Sequence, residues 1–90
     1  MAKSPLVYLV DDDPSVRRAV GRLIRSEGFA VKAFASAQEF LKETDLGLSE
    51  HGCLVLDIHM PDMNGLELHD ELVARRERIP VILITGTSIF

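Results

Sequence analysis

Asp11, Asp12, Asp57 and Thr85 each stand where an apolar run stops: L-V-Y-L-V leads into Asp11-Asp12, C-L-V-L into Asp57, and P-V-I-L-I into Thr85. If those runs lie side by side, three carboxylates and a hydroxyl meet at one rim. Carboxylates gathered in this way repel one another and require raised pKa values or a cation. Hard oxygen ligands without a histidine or cysteine partner favour Mg²⁺, which keeps several waters and accepts one or two carboxylates. A carboxylate beside such a cation suits phosphoryl transfer, in which it attacks phosphorus and becomes an aspartyl phosphate.

The convergence depends on the elements that carry these residues. Leu6 to Val10 is short, continuous and rich in β-branched and aromatic residues, the pattern of a strand buried on both faces of a parallel sheet. Pro14 suits the first position of a helix with Asp13 as its N-cap. Val16, Ala19, Val20, Leu23 and Ile24 then mark one helical face, Arg17, Arg18, Arg22 and Arg25 fall largely on the solvated side, and Gly28 is the stop. Phe29 to Phe34 reads as a second strand. Ser36-Ala37-Gln38-Glu39 has the capping-box pattern of a second helix, which carries Phe40 and Leu41 inward. Thr44 to Gly52 is polar and broken. Cys53 to Leu56 forms a third strand ending in Asp57, and I-H-M-P-D-M-N-G a turn-rich loop. Leu66 to about Arg78 is helical by spacing, with Leu68, Leu72 and either Val73 or Leu66 toward the sheet. Pro80 to Thr85 is a fourth buried strand. This alternation predicts a doubly wound α/β fold. In such a sheet ligands bind beyond the carboxyl ends of the strands, where the strand order reverses.

Simpler readings stand beside the chemical ones. Asp13 is accounted for as a helix cap. Asp57 alone is equally a turn residue, and Thr85 alone is more often a β-branched strand end than a ligand. Asp62 and Asn64 are turn formers before Gly65. His51, His59 and His69 share no metal-ligand spacing and read as solvated. Arg75, Arg76 and Arg78 suit a helix C-terminus without any partner.

Composition narrows the function classes. Hydrophobic residues make up 47% of the ninety, ample for one small core. Ten Lys and Arg against fourteen Asp and Glu, with no basic cluster, argue against direct nucleic-acid binding. The lone Cys53, in an apolar run, reads as a small buried thiol in a reducing cytoplasm. Neither a secretory leader nor an apolar stretch of membrane-spanning length is present, so a soluble cytoplasmic protein without membrane contact is expected.

Taken together, L-V-Y-L-V-D-D-D-P-S-V-R-R-A-V, C-L-V-L-D-I-H-M-P-D-M-N-G-L-E-L and I-P-V-I-L-I-T-G resemble the CheY-like receiver domain of two-component response regulators. The nearest resemblance is to receivers that precede LuxR-class helix-turn-helix domains, and it runs from about Leu6 to Gly86. It implies a flavodoxin-like sheet of order 2-1-3-4 in a three-layer α/β/α arrangement. It also implies that Asp57 accepts a phosphoryl group from a sensor histidine kinase. Asp12 would bind Mg²⁺ directly, Asp11 mainly through water, and the backbone carbonyl of His59 would add a ligand beside Asp57. Thr85 would be the switch hydroxyl. Met60-Pro61 and Gly65 would shape the loop that places His59, whose side chain would tune the lifetime of the phosphate.

Family members continue for another helix, strand and helix, and the further strand brings a lysine that pairs with the phosphoryl group. The ninety residues are therefore expected to form a single receiver domain, incomplete at its C-terminus, whose fourth strand exposes an apolar edge. Such an edge predicts a homodimer or a domain-swapped oligomer. Two other functions compete. One is an interaction element that associates without phosphotransfer. The other is a Mg²⁺-dependent phosphohydrolase, which typically carries a second acid two residues after its nucleophile, where this sequence has His59.

Overall fold

A computed structural model describes residues 5–44, 52–60 and 63–84. Its elements are β1 (Leu6–Val10), α1 (Pro14–Ser26), β2 (Ala30–Phe34), α2 (Ala37–Thr44), β3 (Cys53–Asp57), α3 (Gly65–Ala74) and β4 (Val81–Ile84). The four strands form one parallel sheet of order β2-β1-β3-β4, the order that the receiver resemblance implies.

Strand alternation divides the core between the two faces of this sheet. Tyr8 and Val10 on β1, with Leu54 and Leu56 on β3, meet Phe40 and Leu41 of α2 and Leu68 and Leu72 of α3. Val7, Leu9 and Val55 point the other way and are met by Val20 and Ile24 of α1. One helix thus covers one face and two cover the other. The winding changes direction after β2, which leaves β1 and β3 adjacent at the centre. Complete burial of a side chain such as Phe40 or Leu9 contributes about 1.5–3 kcal/mol. Tyr8, Phe34 and Phe40 add a ring cluster with centroid separations of 5.5–6.4 Å.

The helix ends explain most of the departures from expectation. Asp13 caps α1 as read from the sequence, its carboxylate accepting from Ser15 N–H (2.8 Å) and Val16 N–H (3.3 Å). At the other end Gly28 takes φ +93° and donates to the Arg25 carbonyl (3.0 Å), the left-handed stop that glycine accepts without strain. At α2, the Ser36 hydroxyl accepts from Glu39 N–H, while the Glu39 carboxylate reaches past Ser36 to Ala35 N–H. α3 ends at Ala74 rather than near Arg78. Arg76 turns left-handed (φ 60°), and Glu77 N–H closes on the Leu72 carbonyl (3.0 Å). That turn brings Ile79 back onto the core and lets the Pro80 carbonyl accept from Leu54 N–H (2.9 Å) as β4 begins.

Three burial expectations are corrected. Leu68 and Leu72 face the sheet, but Leu66 (55% exposed) and Val73 (62% exposed) both face outward. Leu23 of α1 is also exposed, leaving Val20 and Ile24 as the inward pair. The buried reading of Pro80 to Thr85 also fails, while the exposed apolar edge expected of the same strand is met: β4 stands at the edge of the described sheet, with Ile82 54% and Leu83 39% exposed. Cys53 is half-buried. No helix among the described residues is long and apolar enough to cross a membrane.

Candidate acidic site at the β1–β3 rim

The register of the two central strands builds this site. Val10 pairs with Leu56, so the next residues along, Asp11 just past β1 and Asp57 at the end of β3, stand side by side. Both are buried, at 2% and 6% exposure, while Asp12 is exposed. Carboxylate oxygens of all three lie within 4.8 Å of one another. The sequence expectation that the two aspartate segments converge is therefore met for Asp11, Asp12 and Asp57.

Backbone groups hold the acids in place. Asp11 N–H donates to the Phe34 carbonyl (3.1 Å), extending the ladder toward β2 by one bond. The Asp11 carboxylate accepts from Asp13 N–H (2.9 Å), and the Asp57 carboxylate accepts from His59 N–H (3.0 Å). Ile58 N–H donates to the Ile84 carbonyl (2.9 Å), and Gly65 N–H to the Ile58 carbonyl (3.1 Å). The segment after β3 is thus tied to both β4 and the start of α3. Asn64 caps that helix through a reciprocal capping box with Glu67 (2.9 and 3.1 Å).

Burial and neighbouring charge oppose the ionisation of Asp11. Burial pushes the Asp11 carboxyl above its ordinary range; the Asp13 N–H bond works against that, and the charges of Asp57, Asp12 and Asp13 reinforce it. A cation set among the three would relieve both burial and repulsion, and an all-oxygen donor set fits a hard divalent ion such as Mg²⁺. A cavity of about 110 Å³ opens beside Asp12, with Ser36, Met60 and Met63 in its walls.

His59 lies at the rim with its side chain exposed and its N–H on Asp57. Thr85, Pro61, Asp62 and His51 lie outside the described residues. Two features escaped the sequence reading. Arg17, assigned to the solvated face of α1, is half-buried and its Nη1 donates to the Asp11 carbonyl (2.8 Å). Helical spacing gives a residue's face but not how far back a long side chain reaches. Asn64, read as a turn former, is a cap, and the N-x-x-E spacing to Glu67 was its available signal.

Comparison with known proteins places this geometry in a wider set. The family model described as "Response regulator receiver domain" matches residues 7–89. The chain is 46% identical over 81 residues to the response regulator protein TmoT of Ectopseudomonas mendocina, covering 90% of this chain and 36% of TmoT. It therefore spans about a third of the length of that relative. The crystal structure of FixJ-N superposes with a TM-score of 0.84 at 39% identity, covering 94% of this chain and 66% of that one. The response regulator TrrA of Thermotoga maritima, solved in complex with Mg²⁺-BeF, gives a TM-score of 0.82 at 28% identity, covering 93% and 71%.

Proposed function

The chain belongs to the response regulator receiver family, and on that premise we propose that it accepts a phosphoryl group on Asp57 from the phosphohistidine of a sensor kinase in the cytoplasm. The observation that carries this reading is the meeting of Asp11, Asp12 and Asp57 within 4.8 Å at the ends of two neighbouring strands. An oxygen of Asp57 attacks phosphorus, the P–N bond to the donor imidazole breaks, and the departing nitrogen keeps the electron pair and takes up a proton. Asp57 is held for this by the His59 N–H on one carboxylate oxygen.

Asp11, Asp12 and Asp57, with the backbone carbonyl of His59, would hold Mg²⁺, which offsets charge on the phosphoryl oxygens. TrrA, captured with Mg²⁺-BeF, supports this assignment by its likeness. The hydroxyl of Thr85 meets a phosphoryl oxygen as the switch contact. The phosphorylated chain hydrolyses its own acyl phosphate and acts on no foreign substrate. The ninety residues are read as one receiver domain, and in longer relatives the phosphorylated state would be passed to further domains.

Intact-mass spectrometry after incubation with Mg²⁺ and acetyl phosphate tests the reading. One added phosphoryl group in the wild type and none in Asp57→Asn is expected. No addition in either would leave the family membership standing and move the function to binding. That second reading, association with another copy through β4, is favoured by the exposure of Ile82 and Leu83. A monomer in sedimentation at high concentration would remove it.

A further inference from the structure

We propose that Arg17 is a positioning residue for the acidic site: by holding the Asp11 carbonyl, its guanidinium fixes the peptide that joins Asp11 to Asp12 and so sets the spacing of the cation ligands. The proposal rests on the reading of this site as a Mg²⁺ site, and adds a residue that touches neither the ion nor the phosphoryl group.

The argument begins at the end of β1. Asp11 is anchored through its N–H to Phe34 and through its carboxylate by Asp13 N–H. Asp13 in turn is fixed by capping α1. Those bonds secure the two ends of the Asp11–Asp13 segment, and neither is made by the carbonyl of the peptide plane between Asp11 and Asp12. The carbonyl of that plane is what Arg17 Nη1 grips at 2.8 Å. Asp12 is exposed, and among the described residues no hydrogen bond reaches its carboxylate. Its position beside Asp11 and Asp57 is therefore set by the backbone, and the backbone there is set by Arg17. A charge-assisted bond to a carbonyl is stronger than a neutral one. It is anchored on a helix whose own start is capped one residue beyond the site, so the loop is tied back onto itself.

Two effects of this cation oppose each other. Its charge repels a divalent ion, and its hydrogen bond preorganises the ligands. The guanidinium is engaged with a carbonyl rather than aimed into the cluster, so positioning outweighs repulsion here. Outer partners that orient metal ligands typically account for on the order of tenfold or more in affinity.

The test is a MgCl2 titration of the full, unphosphorylated chain, followed by amide chemical shifts of Asp11, Asp12 and Asp57. Arg17→Met is expected to weaken Mg²⁺ binding roughly tenfold and to broaden the Asp11–Asp13 amide signals in metal-free protein. Arg17→Lys, which keeps one donor, should recover part of both. Arg18→Met removes the same charge from an exposed neighbour and should leave binding within about twofold of wild type. Equal effects of the Arg17 and Arg18 changes would overturn the proposal, as would unaltered or tighter binding by Arg17→Met. Should Arg17→Met fail to fold, weakened binding by a folded Arg17→Lys still supports the proposal, and wild-type binding by it sinks the proposal. A wild-type chain that does not titrate with Mg²⁺ would overturn the metal reading itself, and the role of Arg17 with it.

Discussion

A β-carbon built on Gly65 would stand 2.9 Å from the carbonyl oxygen of Asp57, closer than such atoms approach in proteins, and 3.1 Å from the Ile58 Cα. Both neighbours are backbone, so neither can turn aside. The first residue of α3 is thus pressed against the peptide of Asp57. Gly65→Ala should lower stability by about 1–3 kcal/mol, the usual cost of overpacking, read as the midpoint of urea unfolding. Because the strain falls on the Asp57 peptide, phosphorylation by acetyl phosphate should also slow. A variant with wild-type stability and rate would show that α3 can retreat without consequence.

Removing one of three crowded charges should stabilise the metal-free chain. At this separation a like-charge pair costs roughly 1–3 kcal/mol near a protein surface, and Asp57→Asn keeps an oxygen for the His59 N–H. Its melting temperature should rise, by about 4–8 °C for each kcal/mol. Mg²⁺ should stabilise the wild type and do much less for the variant, as followed by thermal unfolding with and without the ion.

The acidic rim also gives the metal-free protein a signed pH dependence. The Asp11 carboxyl keeps its proton to higher pH when folded than when unfolded, chiefly because it is buried. The folded chain therefore binds more protons as pH climbs from the ordinary value of 3.8, and stability falls over that interval. The expected signal is a difference: wild type should lose stability relative to Asp11→Asn as pH rises above 3.8. Parallel curves for the two proteins would exclude it.

Arg76 offers a gain. It occupies the left-handed position that Gly28 fills at the end of α1, yet carries a β-carbon. A non-glycine residue there costs about 1–2 kcal/mol, offset in part by the entropy that glycine adds to the unfolded chain. Arg76→Gly should raise stability by about 0.5–1 kcal/mol without altering Mg²⁺ binding, since it lies at the opposite end of α3 from Asp57. Conversely, Asn64→Ala removes the capping box and should cost about 1 kcal/mol, measurable by the same denaturation.

The central strands were legible because their chemistry is local. Five apolar residues followed by acids can bury both faces of β1 and must then stop, so Leu6–Val10 and the following Asp11 were readable directly. The same holds for Cys53–Asp57, and parallel pairing then dictated their meeting. The end of α3 was not readable, because its stop is an arginine in a glycine's conformation and depends on Ile79 reaching the core. Nor was the outward placing of Leu66 and Val73: their spacing on the helix fits either face, and only the crossing of α3 over β3 chooses Leu68 and Leu72. Arg17 shows a third limit. The sequence placed it on the polar side of α1, and a flexible stem carried its head back to the Asp11 carbonyl.

The ring cluster behind the rim has a practical bearing. The chain has no tryptophan, and Tyr8 is its single tyrosine, buried against Phe34 and Phe40 on the strand that ends in Asp11. Tyrosine emission and the tyrosine band of the near-ultraviolet circular dichroism therefore come from one chromophore at one place in the core. A change in either on adding Mg²⁺ or a phosphodonor would be a native optical readout of strain passing down β1 from the rim, with no label to attach.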